Sequence, residues 1–187
     1  MVRSSGRGEK AAPLPPAGPS ATGGGLACAT PKSLDLNIIS NTMNNVYEGK
    51  VMWSHLDVNK HMRHSAYADF AAQARIAVLD SLGLTFAVFQ ELKLGPILFR
   101  EELVYLKEIG INENIKVTIE LFKSRPDGSR WSIRHIVYRQ DGVRAAVVTV
   151  DGAWLDVVKR KLTVLPQDLV EKFAGLPKSI DYEEIPA

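Results

Sequence analysis

Ser65 to Gly83 reads SAYADFAAQARIAVLDSLG, and within it Tyr67, Phe70, Ala71, Ala74, Ala77, Val78, Ser81 and Leu82 recur at steps of three and four residues. That period gathers one apolar face on a helix and leaves Asp69, Gln73 and Asp80 on other faces. Gly83 supplies the stop. The face is rich in alanine, which lets a helix lie close against a sheet. Leu94 to Leu106, Ile115 to Lys123, Arg130 to Arg139 and Val143 to Asp156 follow as long runs of strand-forming residues, with Val117, Ile119 and Leu121 alternating against Thr118 and Glu120. Arg125-Pro126-Asp127-Gly128 and Gln140-Asp141-Gly142 join them through Asp-Gly pairs suited to tight hairpins, so the last three runs predict an antiparallel meander. Upstream, Val46 to Trp53 predicts a shorter strand, weakened by Gly49. One strand, one long helix and four strands predict an α+β domain whose antiparallel sheet wraps around the helix.

Length and composition fit one such domain. The chain has 187 residues, 45% hydrophobic and 24% charged, with a formal net charge of +2. That charge is too small to point to nucleic acid, so any anion site is local. No run approaches the roughly 20 apolar residues of a membrane span. The single cysteine, Cys28, excludes an intramolecular disulfide and any zinc cluster built from cysteine alone. Residues 1–35, with their prolines and the Gly23-Gly24-Gly25 run, predict a disordered tail before a domain spanning 36–172. A short helix, Gln167 to Phe173, is expected before a loose C-terminal tail over 173–187. A cytoplasmic location is expected, or an organellar one if the basic, alanine- and serine-containing N-terminal tail is a transit peptide.

Chemistry is concentrated between the first strand and the helix, in Trp53-Ser54-His55-Leu56-Asp57-Val58-Asn59-Lys60-His61-Met62-Arg63-His64-Ser65-Ala66-Tyr67, which holds three of the four histidines. A loop that delivers a carboxylate to a helix N-terminus suits acyl chemistry, because free backbone N–H groups and the helix dipole favour developing negative charge. Taken alone, Asp57 is also an ordinary turn or capping residue, and His61 an ordinary loop histidine. The positions 55, 57, 61 and 64 follow no familiar zinc pattern, so no metal is expected. Tyr67 sits on the apolar stripe and reads as core rather than catalyst.

The pattern Trp-x-x-x-Asp-x-Asn-x-His-Met-x-x-x-x-Tyr from Trp53 to Tyr67 resembles the signature loop of hot-dog-fold thioesterases of the 4-hydroxybenzoyl-CoA thioesterase type. Val104-Tyr105-Leu106 and Gly152-Ala153-Trp154-Leu155-Asp156 resemble that family more loosely. The resemblance implies a hot-dog fold, an acyl-CoA substrate, a place in lipid metabolism, no cofactor, and a homodimer or homotetramer whose sites form between subunits. It makes Asp57 the catalytic nucleophile or general base, with Asn59 and His61 orienting it and a backbone N–H near Gly95 stabilising the oxyanion. Arg63 and His64 stand where many relatives have two asparagines; with Tyr67 they are the expected acyl contacts. Lys123, Arg125 and Arg130, or the run Lys159-Arg160-Lys161, are the expected partners of the CoA phosphates. A second branch of the family uses a glutamate on the long helix, where this chain has Ala72 and Gln73. Two alternatives stay open: a hot-dog enoyl hydratase or dehydratase, and a catalytically silent acyl-CoA-binding or scaffold protein.

Overall fold

The computed structural model describes residues 46–186. Strand β1 (Val46–Lys50) leads through a single 3₁₀ turn (Trp53–His55) to the long helix α1 (His64–Ser81). A short helix α2 (Phe86–Leu92) follows, then β2 (Leu94–Tyr105), β3 (Asn114–Ser124), β4 (Arg130–Tyr138) and β5 (Arg144–Asp156). The chain ends with β6 (Lys161–Thr163), helix α3 (Gln167–Ala174) and β7 (Lys178–Glu184). The expected disordered tail and Cys28 lie outside the described residues. No single described helix is long and apolar enough to cross a membrane.

The sheet runs β1-β3-β4-β5-β2, all neighbours antiparallel, and curls around α1. Hairpins β3–β4 and β4–β5 turn on Gly128 and Gly142, at φ +68° and +78°, as the Asp-Gly pairs require. Asp127 and Asp141 each accept a bond from the backbone N–H two residues on, at 2.9 and 3.1 Å. On the inner face, Ile115, Val117, Ile119 and Leu121 of β3 are fully buried beneath α1 together with Ile133, Val137, Val148 and Val150. Helix α1 contributes Ala66, Tyr67, Phe70, Ala71, Ala74, Val78 and Leu79. The expected stripe holds through Val78 and then drifts: Leu79 is buried, whereas Ala77 and Ser81 are exposed. Gly49 now has a reason, since a Cβ there would stand 2.8 Å from the Phe70 ring.

Three further elements differ from expectation. Thr85 opens α2 by accepting a bond from the Val88 N–H at 3.3 Å, and Lys93 closes it in the left-handed region. Strand β6 adds a short pairing to the end of β5. The C-terminal segment expected to be loose forms β7, which runs parallel to the outer half of β3. It is fastened by Arg134, whose guanidinium donates to both oxygens of Asp181 at 2.7 and 2.9 Å and lies over the Phe122 ring. That pairing pulls the Asp181 carboxyl down to about 2.

One polar pair interrupts the apolar interior. His135 of β4 is fully buried, its Nδ1 3.1 Å from the Val148 carbonyl and its Nε2 3.2 Å from Nη1 of Arg75 on α1. A carbonyl only accepts and a guanidinium only donates, so Nδ1 carries the proton and Nε2 accepts from Arg75. Burial, with the neighbouring Arg75 charge, pushes His135 down to about 3 from 6.5. The unfolded chain protonates this histidine below about pH 6.5 while the folded chain does not until about pH 3, so stability falls as pH drops through that window. Over the whole window the loss is up to roughly 4 to 5 kcal/mol. Urea titrations of the wild type and His135→Gln at pH 7, 5.5 and 4.5 should show that the variant, although weaker at pH 7, loses less on acidification. Equal acid sensitivity would mean that His135 already accepts a proton in the folded chain.

Candidate active site

The segment after the 3₁₀ turn is tied down by its backbone. The Asp57 N–H donates to the His61 carbonyl at 2.9 Å, Met62 N–H to Ile109 at 2.7 Å, and Arg63 N–H to His55 at 2.8 Å. Lys60 takes a positive φ of 64° at the tip of the resulting turn. Inside the turn, Oδ1 of Asp57 accepts from the N–H groups of Asn59 at 2.8 Å and His61 at 3.2 Å. The carboxylate is thus oriented by its own loop, and Oδ2 has no hydrogen bond among the described residues.

Helix α1 begins immediately beyond, with Arg63 as its N-cap and no side-chain cap. Ala66 N–H folds back to the Arg63 carbonyl, but the N–H groups of His64 and Ser65 have no partner among the described residues. They are the positive end of an 18-residue helix.

An open pocket of about 370 Å³ lies here, lined among others by Asp57, His61, His64, Tyr67, Tyr105 and Glu108, with Ser65 outside its lining. Tyr67 and Tyr105 meet edge to face with centroids 5.3 Å apart. The Tyr67 hydroxyl donates to the Lys107 carbonyl at 3.4 Å, and the Tyr105 hydroxyl to the His64 carbonyl at 3.3 Å. Burial first, then neighbouring Tyr105 and Glu108, pushes Tyr67 up to about 12, so it stays a neutral phenol. Nδ1 of His61 lies 3.8 Å from Glu108. Among the described residues no group of three or more His, Cys, Asp or Glu side chains is placed to hold a metal ion.

Asp57, His61, His64 and Tyr67 therefore line one pocket. Asn59 enters through its backbone N–H. Arg63 turns away, with Nη2 3.3 Å from Asp69. His55 is structural, accepting from the Met52 N–H at 3.0 Å and packing edge-on against Phe70. Gly95 is not at the site of its own chain, because it opens β2 while Tyr105 closes it, about 30 Å away at the rise of an extended strand. Lys123, Arg125 and Arg130 likewise gather at the far end of the sheet, where Lys123 is 2.5 Å from Glu183 and Arg130 covers the Phe99 ring. Tyr105 and Glu108 were not singled out from sequence, whereas free N–H groups at the helix N-terminus were expected. The only signal for Tyr105 was the loose family likeness of its stretch.

Comparison with known proteins identifies the family and the fold. The family model described as thioesterase-like superfamily matches residues 51–173. The chain belongs to the thioesterase-like superfamily. Its sheet around one long helix is the hot-dog fold of that superfamily. A hypothetical protein from Staphylococcus aureus in complex with CoA is similar at TM-score 0.68 and 18% identity, covering 74% of this chain and 88% of that one. A DHNA-CoA thioesterase from the same organism gives 0.64 and 18%, covering 70% and 88%. A 1,4-dihydroxy-2-naphthoyl-CoA thioesterase from Synechocystis gives 0.63 and 13%, covering 70% and 95%. A search of curated proteins found no match.

Proposed function

We propose that the chain hydrolyses acyl-CoA thioesters to a free acid and CoA in the pocket beside Asp57. The observation that carries this is the convergence, in one pocket, of a carboxylate with an uncommitted oxygen and His64, at the head of a helix whose first two N–H groups are uncommitted. Oδ2 attacks the thioester carbonyl carbon, or removes a proton from an attacking water. The His64 and Ser65 N–H groups hold the oxyanion as it forms, and the C–S bond breaks to release the CoA thiolate. On the nucleophilic route, water then hydrolyses the resulting anhydride and restores Asp57.

A homodimer through β2 completes the site. β2 is an edge strand of the sheet, and Leu98, Phe99, Val104 and Tyr105 along it are exposed. A two-fold axis pairing β2 antiparallel with its copy brings the start of one strand beside the end of the other. The partner's Gly95 and its cations Lys123, Arg125 and Arg130 then approach Asp57, for the oxyanion and the CoA phosphates. Light scattering on the eluted protein should give the mass of a dimer or a multiple of it. A monomer that turns over acyl-CoA would remove these residues from the mechanism.

Thiol release, followed with a thiol-reactive dye over short, long and aromatic acyl-CoAs, tests the reaction. The His61 and Glu108 pair favours one alternative, water addition to an enoyl-CoA, which changes absorbance without releasing thiol.

A further inference from the structure

Arg75 occupies a position that the helix pattern reserves for an apolar residue. It lies one turn beyond Ala71 and one before Leu79 on the buried stripe of α1, yet it is a half-buried guanidinium. Among the described residues its only hydrogen bond is the one to the buried, neutral His135, and it makes no ion pair. Arg75 remains a cation at neutral pH. A cation held in the interior by a neutral partner is costly unless something else answers its charge.

The groove between α1 and β2 shows what that is. Helix α1 packs most closely on β1, β3, β4 and β5, and Glu101 and Tyr105 on the near face of β2 are exposed. Register places Glu101, Leu103 and Tyr105 on that face, opposite Val150, Val148 and Ala146. Tyr105 marks the end at the Asp57 pocket, and α2, packed on β2, closes the other. Helix and strand run in opposite directions along the groove, since Tyr105 bonds to His64 at the start of α1. Arg75 stands about 16 Å along the helix from His64 at 1.5 Å per residue, the length of an extended chain of roughly a dozen carbons.

We infer that Arg75 is a specificity-determining residue that binds a carboxylate at the far end of the acyl chain, so that the preferred substrates are ω-carboxyacyl-CoAs of about a dozen carbons. This rests on the acyl-CoA reading of the Asp57 pocket. The guanidinium offers a carboxylate paired donors, whereas a methyl-ended chain of the same length strips water from the cation and returns nothing. Glu101, exposed on β2 and farther than ion-pair distance, is the carboxylate whose charge acts on Arg75. It weakens the attraction without supplying it.

The test is equilibrium binding, read by titration calorimetry, of dodecanedioyl-CoA and dodecanoyl-CoA to the full chain carrying Asp57→Asn, with and without Arg75→Met. With Arg75 present, the dicarboxylic ligand should bind at least 10-fold more tightly. Arg75→Met should abolish or reverse that order, Arg75→Lys should keep part of it, and Glu101→Gln should enlarge it. Equal affinities with Arg75 present overturn the inference, whether or not the Met variant folds. So does a Met variant that weakens both ligands alike or changes the oligomer mass, which would make Arg75 a structural or interface residue. Because binding is read, absence of thiol release from the wild type would be recorded separately and would count against hydrolysis alone.

Discussion

Asp57→Asn should lower kcat for acyl-CoA hydrolysis by roughly 10²- to 10⁴-fold with little change in substrate affinity, the range expected for loss of a central nucleophile or base. Asparagine keeps an oxygen able to accept from the N–H groups of Asn59 and His61, so the turn that positions the side chain survives. What is lost is the negative charge on the second oxygen. Asp57→Ala removes both and should lose as much activity and some stability as well, because the two N–H groups lose their acceptor. Steady-state kinetics and urea titrations of the pair separate the two functions. A wild-type kcat in Asp57→Asn would make the carboxylate a turn residue and nothing more.

Among substitutions, the largest effect on stability is expected at Trp154. It is fully buried in β5 and packs against Trp131, Phe89 of α2 and Phe173 of α3, with ring centroids 5.4 to 5.8 Å away. Its Nε1 donates to the Gly128 carbonyl at 2.9 Å, tying the β3–β4 hairpin to the same cluster. Trp154→Ala should cost about 3 to 5 kcal/mol, since two helices and a turn lose one shared partner and a cavity remains. Trp154→Phe keeps most of the apolar contact but orphans the carbonyl, and about 1 to 3 kcal/mol is expected. Urea midpoints with an unchanged m-value would establish both. A loss under about 1 kcal/mol for the alanine variant would mean that α2 and α3 dock independently of this residue.

The sequence foretold elements whose cause is local. The period of α1, the Asp-Gly turns and the alternation in β3 are written in neighbouring residues, and they yielded the meander and the sheet around the helix. Thr85 was also a local signal, but Phe86 to Leu92 is too short to show a period and was passed over. β7 was missed for another reason: Lys178 to Glu184 is charged, and it is held by Arg134 and Lys123 far away in sequence. At the site, the motif marked the residues that share one loop and one helix end. Gly95 was placed with Asp57 through the family resemblance and the three cations through their charge, but a 12-residue strand carries Gly95 to the opposite end of the chain's own sheet. The Arg75 and His135 pair was invisible because each residue, taken singly, reads as one polar exception in an apolar pattern.

The most direct test of the central claim is a single-turnover measurement, with enzyme in excess over an acyl-CoA that it turns over, following thiol release by the wild type and by Asp57→Asn. At saturating enzyme this reports the chemical step on bound substrate. The predicted result is rapid release by the wild type and release at least about 10²-fold slower by the variant, although both bind the substrate. Equal rates from the two proteins would contradict the assignment of the chemistry to Asp57.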